Sequence, residues 1–249
     1  MAGVFAAGVG AGAMNAVVGS GTLVTFPVLL ATGMSPVTAT VSNALGLIPG
    51  SISGAIGYRR ELAGQGRRIR RFGVGAALGG LAGATALLAL PAEAFETIVP
   101  TLVGLALVLV AFQPLITRAV RGRRPEGHAP RRDGGRPLFV GLTLASVYGG
   151  YFSAAQGIIY VSLMGLLLDE PLQRLNAVKN VLVAVVNTVA AAFFLFVADF
   201  DWTAVALIAV GSALGGRFGA RTGRRFSPAV LRALIVTIGT VALAQLLLR

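Results

Sequence analysis

Long apolar runs separated by short polar segments form the dominant pattern of this 249-residue chain. Six of these runs are close to the roughly 20 residues that a helix needs to cross the hydrocarbon core of a bilayer. We therefore predict six transmembrane spans, at residues 36–58, 72–90, 97–117, 172–198, 202–220 and 229–248.

Two further apolar runs, 3–34 and 138–168, are each longer than 30 residues and are interrupted near the middle. The first is interrupted at Gly19-Ser20-Gly21-Thr22 and the second at Ser153-Ala154-Ala155-Gln156-Gly157. Small and polar residues at such a point favour a break in a membrane helix. Each run is therefore predicted to form a broken helical hairpin, either re-entrant or made of two short tilted helices.

Composition and charge support a membrane protein. Hydrophobic residues make up 55% of the chain and charged residues only 12%, whereas a soluble domain carries about 25% charged residues. The net charge of +12 comes mainly from 17 arginines in three segments, 59–71, 118–136 and 217–225. Arginines gathered between apolar runs are typical of cytoplasmic loops, so the charge excess does not indicate nucleic-acid binding.

Repeated spacings indicate a duplication at an offset of about 135 residues. Gly75, Gly79 and Gly83 recur as Gly211, Gly215 and Gly219, and Pro36 recurs as Pro171. The chain thus divides into a first repeat (1–117), a basic linker (118–136) and a second repeat (137–249).

Charge then predicts how the two repeats are oriented. If all three basic segments are cytoplasmic, the acidic turn 199–201 lies outside, and 138–168 must return to the side from which it enters. The expected fold is an all-α polytopic membrane protein with an inverted repeat. Each half would consist of one broken hairpin and three transmembrane helices.

Two oppositely inserted hairpins should bring their tips together near the membrane midplane, where transporters bind substrate. Helix N-termini at the tips favour anions, and glycine allows close approach of a ligand. The candidate substrate-binding residues at the tips are Gly19, Ser20, Gly21, Thr22, Gln156 and Gly157. The alternative is that these are only helix breaks packed against neighbours.

Lys179 is the only lysine and lies in an apolar span that contains no acidic residue. An unpaired cation in a membrane span usually lines a substrate or ion pathway, although it can also extend to the membrane surface. Asn176 and Asn180 should share its helix face, and Ser42 and Asn43 lie at a matching depth in the first repeat. One cation among neutral donors suits a small oxyanion.

Three residues form a second tier of candidates: Asn15 and Asn187 at membrane depth, and Arg174 near a span's cytoplasmic end. The chain has no cysteine and one histidine, His128, which is expected to be a solvated linker residue. No metal site, cofactor or clustered acid–base pair is therefore predicted, and an enzyme is not expected.

The quoted residues carry a resemblance to a known family. The run from Gly12 to Pro27, together with Ser35-Pro36, Ser42-Asn43 and Pro49-Gly50-Ser51, resembles the first repeat of the sulfite exporter TauE/SafE family. Four segments resemble the second repeat of the family: Tyr148-Gly149-Gly150-Tyr151-Phe152, Asn176-Ala177-Val178-Lys179-Asn180, Asp201-Trp202 and Gly215-Gly216-Arg217-Phe218-Gly219. The chain departs from the family pattern at Ala44, where a lysine is frequent, and at Ala154, Ala155 and Gln156, where glycines are frequent.

The resemblance implies a secondary transporter of the bacterial inner membrane that exports sulfite or a related sulfur-containing anion. The expected mechanism is alternating access around a midplane site. The expected partners are the anionic substrate and the lipid bilayer, without nucleic acid, and a homodimer is compatible with this prediction. An importer of another small organic anion or sulfonate, or an anion channel, remains the alternative.

Overall fold

A computed structural model describes residues 1–122, 133–222, 233, 236–241 and 243–244, and the elements assigned within them are helices. They are α1 Ala2–Val17, α2 Thr22–Ala31, α3 Pro36–Gly46, α4 Ile48–Gly57, α5 Gly66–Ala89, α6 Ala92–Gly122, α7 Gly135–Tyr151, α8 Gln156–Leu167, α9 Leu172–Phe194 and α10 Trp202–Thr222. His128, the middle of the expected linker and most of the expected span 229–248 lie outside the described residues.

Four of the helices in this described part are long and apolar enough to cross a bilayer: Gly66–Ala89, Glu93–Ile116, Leu172–Phe194 and Trp202–Arg221. Shorter apolar helices, Ala2–Val17, Thr22–Ala31 and Gln156–Leu167, accompany them. The all-helical architecture with several apolar helices is that of a polytopic membrane protein.

Both long apolar runs are broken helical pairs. In the first, α1 ends at Val17 and α2 begins at Thr22; in the second, α7 ends at Tyr151 and α8 begins at Gln156. Gly19 takes a φ of 90° in the first break, which glycine adopts without strain. Ser153 and Ala155 take φ values of 62° and 58° in the second, a left-handed conformation that is costly for residues with a Cβ atom.

The expected span 36–58 is not one continuous helix, because this segment forms two helices, α3 and α4, separated at Leu47. Pro49, at the start of α4, has no N–H to donate to the preceding turn, and its ring crowds the carbonyl four residues earlier. The proline therefore accounts for an interruption at Leu47, two residues earlier in the chain.

The expected loop boundaries also need correction. The basic loop 59–71 ends earlier than expected, because α5 already begins at Gly66 and includes Arg67 to Arg71. Arginine is a good helix former whose aliphatic stem packs on apolar surface, so it extends a helix beyond the membrane. Likewise α6 continues to Gly122 and α7 begins at Gly135, so both ends of the expected linker 118–136 are helical.

The two halves of the chain are interlocked through equivalent glycine faces. The first hairpin helix, α1, packs on α10 of the second half, and α7 packs on α5 of the first half. A Cβ atom at Gly215 would lie 1.9 Å from the carbonyl oxygen of Val9, and one at Gly83 would lie 2.0 Å from that of Val147. Only glycine permits this backbone contact, so each glycine series serves the same kind of interface.

Candidate functional site

The tips of the two broken hairpins are in direct backbone contact. The N–H of Gly157 donates to the carbonyl oxygen of Gly19 across 3.1 Å. A Cβ atom at Gly19 would lie 2.6 Å from the Cα of Gly157, and one at Gly157 would lie 2.5 Å from the Cα of Gly19. These two glycines therefore set how closely the halves approach at the candidate site.

Lys179 lies across this junction with its side chain 0% exposed. Its Nζ donates to the carbonyl oxygens of Asn15, at 2.8 Å, and Ala16, at 3.3 Å. Its Cδ would be 3.2 Å from a Cβ atom at Gly19 and 3.0 Å from one at Gly157. The alternative of a lysine that extends to the membrane surface is therefore wrong.

The acceptors of Lys179 are the last carbonyls of α1, which carry the negative end of that helix dipole. No carboxylate lies within ion-pair distance of the ammonium in the part of the chain that the structure describes. An ammonium has three donors, and these contacts account for two. When Lys179 is protonated, the site therefore carries a net positive charge.

The neighbouring asparagines of α9 are buried, as a shared helix face requires. Asn180 is 2% exposed and its Nδ2 donates to the carbonyl oxygen of Ala16 across 3.4 Å. Asn176 is 7% exposed, one turn before Lys179. Asn187 is also buried, but it lies eight residues further along α9, about 12 Å from Lys179 along the axis.

Polar side chains connect the two tips to α3. Thr22 shares a hydrogen bond of 2.8 Å with Ser153 of the second tip, and the Nδ2 of Asn43 donates to the Oγ1 of Thr22 across 3.2 Å. The Oγ1 of Thr25 donates to the Oδ1 of Asn43. This chain of contacts joins both halves around the candidate site.

Asn15 forms a second connection, from the end of α1 to α4. Its Oδ1 accepts a hydrogen bond of 3.4 Å from the N–H of Gly21, and its Nδ2 lies 3.5 Å from the Oγ of Ser51. Because its own carbonyl also accepts from Lys179, Asn15 is more central than its place in the second tier suggested.

At the tips, the Oγ of Ser20 and the Oε1 of Gln156 are buried and have no hydrogen-bond partner among the residues that the structure describes. The Nε2 of Gln156 donates to the Tyr160 hydroxyl across 2.7 Å, and that hydroxyl pairs with Ser146 at 2.6 Å. Buried polar atoms nearly always have partners, so these two are suited to binding a ligand.

The helix N-termini at the tips are less free than expected. In α8 the N–H of Gly157 is occupied by Gly19, and the N–H of Gln156 donates to the carbonyl oxygen of Ser153 across 3.3 Å. An anion at α8 would have to replace the contact between the tips.

Two candidates lie away from the tips. The Oγ of Ser42 accepts a hydrogen bond from the N–H of Asp201 across 3.1 Å, in the turn before α10. Arg174 forms an ion pair of 2.7 Å with Glu170, which also pairs with Arg68 at 3.0 Å. Burial raises the pKa of Glu170, but its bonds to Arg68 and Arg174 outweigh burial and hold the pKa below its ordinary value.

Four residues at the site were not predicted from the sequence: Thr25, Ser51, Ser153 and Tyr160. Thr25 lies three residues after Thr22 and thus on its helix face, and Ser153 lies in the recognised break, so spacing could have indicated both. The positions of Ser51 and Tyr160 depend on packing between distant segments. Within the described ranges, no group of three acidic or histidine side chains is arranged to hold a metal ion.

The sequence is similar to known membrane transporters over nearly its whole length. The family described as "Sulfite exporter TauE/SafE" matches residues 4–246. The chain is 28% identical over 242 residues to the "Probable membrane transporter protein YfcA" of Escherichia coli (strain K12), covering 95% of this chain and 86% of the relative. It is 25% identical over 245 residues to a "Probable membrane transporter protein" of Haemophilus influenzae, covering 97% and 92%. No solved structure matches the chain.

Proposed function

Because the chain belongs to the sulfite exporter TauE/SafE family of membrane transporters, we propose that it exports sulfite or a related small sulfur-containing anion. The substrate would bind between the tips of the two hairpins, at a site centred on Lys179. The hydroxyl of Ser20 would donate to an oxygen of the anion, and the Oε1 of Gln156 would accept from a hydroxyl group of its protonated form. Thr22, Asn43 and Asn176 would be further polar partners.

The observation that carries this proposal is the environment of Lys179. A fully buried ammonium held only by neutral carbonyls is costly in a membrane protein, at least about 2.5–3.5 kcal/mol on insertion scales at a helix centre. An anion that replaces the carbonyls supplies a full negative charge where the helix end supplies about half of one. A small anion therefore gains most where this lysine is located.

The contact between the tips supports alternating access rather than an open channel. Gly19 and Gly157 close the junction by a backbone hydrogen bond in the conformation described here. Substrate bound to Lys179 would compete with the Asn15 and Ala16 carbonyls, release the end of α1 and allow the two halves to move apart on one side. The inverted repeat proposed from the sequence would provide the second state, related to the first by a pseudo-two-fold axis in the membrane plane.

Liposome flux measurements would test this proposal. We expect wild-type protein to release sulfite, and thiosulfate to a lesser or similar extent, with saturation, and to release sulfate and acetate more slowly. Lys179→Gln should lower sulfite flux at least tenfold, whereas Arg70→Gln, an exposed arginine of α5, should leave it unchanged. Unchanged flux in the lysine variant would contradict the proposed site, a preference for acetate would contradict the substrate, and flux without saturation would contradict alternating access.

The proposed orientation places the basic segments on the cytoplasmic side of a bacterial inner membrane. Because the chain contains no cysteine, single cysteines report topology directly. A cysteine at Ala198, beyond the end of α9, should react with an impermeant thiol reagent from outside the cell, and one at Ala63, before α5, only after the membrane is opened. The reverse pattern at these two positions would overturn the orientation.

A further inference from the structure

Helix α4 is flanked by two outward-facing grooves that share one rim. The α4/α10 groove has a volume of about 810 Å³, and the α4/α9 groove one of about 550 Å³. Ile52, Ile56 and Arg59 line both. Ile52 is 45% exposed and Ile56 58% exposed, so α4 forms an apolar ridge between the grooves.

Four exposed arginines stand at the basic end of this ridge. Arg59 and Arg60 follow α4, and Arg217 and Arg221 lie one turn apart on α10. None of the four pairs with another side chain in the described part of the chain. With Glu61 also at the rim, the α4/α10 groove keeps an excess of positive charge.

Below this rim the α4/α9 groove is almost wholly apolar, and the α4/α10 groove is lined by Pro49, Ile52, Ile56 and Ala220, with Ser53 among them. The wall of the α4/α9 groove on α9 consists of Val181, Ala184, Val185, Thr188 and Val189. This wall covers about 12 Å of helix axis, and α4 itself covers about 15 Å, close to the ~15 Å depth of one leaflet. A small soluble anion would find partners only at the rim and would leave this apolar surface unfilled.

We propose that these two grooves bind an anionic phospholipid whose phosphate is held by Arg59, Arg60, Arg217 and Arg221 and whose two acyl chains lie on either side of α4. The cationic rim complements the phosphate, and the apolar walls complement the chains, as in basic pockets between membrane helices that hold anionic head groups. The proposal does not depend on which anion the protein transports.

Such a lipid would pack against the outer face of α4, whose inner face contacts residues next to the hairpin tips. Ser51 of α4 contacts Asn15, and a Cβ atom at Gly54 would lie 3.5 Å from the Nδ2 of Asn180. The outer face of α4 is therefore the lipid surface, and its inner face is part of the wall around Lys179.

Native mass spectrometry of the full-length protein in detergent tests the proposal with dioleoyl phosphatidylglycerol, dioleoyl phosphatidylcholine and glycerol 3-phosphate as probes. We expect phosphatidylglycerol to bind at least tenfold more tightly than phosphatidylcholine. The double variant Arg217→Gln/Arg221→Gln should weaken phosphatidylglycerol binding by about 25-fold, since each arginine near an anionic head group raises the affinity about fivefold. Arg67→Gln/Arg70→Gln removes the same charge from exposed positions outside the grooves and should change affinity less than twofold.

A second set of variants tests the apolar part. Ile52→Trp should obstruct both grooves at their shared ridge and weaken binding of phosphatidylglycerol at least tenfold, whereas Leu78→Trp, exposed on α5, should not. If the α10 double variant does not fold, Arg59→Gln/Arg60→Gln probes the same rim.

Three outcomes would overturn the proposal. Equal binding of the two lipids, or an equal loss in the control variants, would show that the charge at this rim is not specific. If glycerol 3-phosphate displaces phosphatidylglycerol at a concentration similar to that of the lipid, the grooves bind a soluble anion instead. Dissociation of a dimer by Ile52→Trp with unchanged lipid affinity would indicate an interface between copies of this chain.

Discussion

The contact between the hairpin tips makes Gly157→Ala the most informative substitution. A Cβ atom at this position would lie 2.5 Å from the Cα and 2.9 Å from the carbonyl oxygen of Gly19, whereas ordinary contacts are 3.4–4 Å. Both obstructing atoms belong to the backbone and cannot rotate away. The tips must therefore separate by roughly 1 Å, an increase that breaks the 3.1 Å hydrogen bond between them.

The expected change in the unfolding free energy of Gly157→Ala is the sum of two costs and one gain. Overpacking a close contact costs about 1–3 kcal/mol, and the lost hydrogen bond costs about 0.5–1.5 kcal/mol. Alanine gains about 0.5–1 kcal/mol over glycine inside a helix, and less at a helix start such as this one. We expect the variant to lose about 1–4 kcal/mol of unfolding free energy and to transport sulfite at a reduced rate.

Gly10→Ala provides the matched control. It lies in the first hairpin, and the nearest atom to its Cβ would be the Cγ1 of Val24 at 3.8 Å, an ordinary contact. The same chemical change should therefore be neutral or stabilising there. Unfolding by titration with SDS in mixed micelles measures both variants against wild type, and flux in liposomes measures transport. If Gly157→Ala proves as stable and as active as Gly10→Ala, the tips are not in the contact described.

Three further predictions concern other parts of the fold. Gly83→Ala and Gly215→Ala should each lower the melting midpoint strongly and by similar amounts, while Gly73→Ala, with no atom within 4 Å, should not. Glu170→Gln should be less stable than wild type at pH 7. This difference should disappear as the pH falls below about 4.5 and then below the lowered pKa of Glu170, because the protonated carboxyl loses its ion pairs. Ala155→Gly should stabilise the second tip by up to about 1 kcal/mol, because glycine adopts its φ of 58° freely; a lower melting midpoint would contradict this.

Much of the architecture was predictable from local pattern. The hairpin breaks lie at clusters of small and polar residues within apolar runs, and such clusters are visible without knowledge of any tertiary contact. Helix ends were predicted less well, because arginine-rich ends such as Arg67–Arg71 continue a helix past the apolar run that marks the span. The pairing of α1 with α10 and of α7 with α5 was not predicted, since glycine spacing shows that a face packs closely but not which helix it meets.

The candidate site was predictable in its components but not in its connections. Lys179 was recognisable as the only lysine, in a span without acids, and its burial follows from that. Its carbonyl acceptors could not be foreseen, because they belong to residues 163 and 164 positions away and depend on where α1 ends. Ser42 was assigned by depth alone, and depth does not specify the face of the helix; its hydroxyl meets the backbone of Asp201 instead.

The choice of carbonyls rather than a carboxylate as partners for Lys179 has a functional consequence. A buried ion pair is held by full charges on both sides, and a monovalent substrate could replace the carboxylate only at a large cost. Helix-end carbonyls accept hydrogen bonds from Lys179, yet present only a partial negative charge that a substrate anion exceeds. The same carbonyls belong to the hairpin that would move in the proposed mechanism, since those of Asn15 and Ala16 lie at the end of α1 beside the tip contact. Substrate binding and release of the first hairpin would therefore be one event, which is the coupling that alternating access requires.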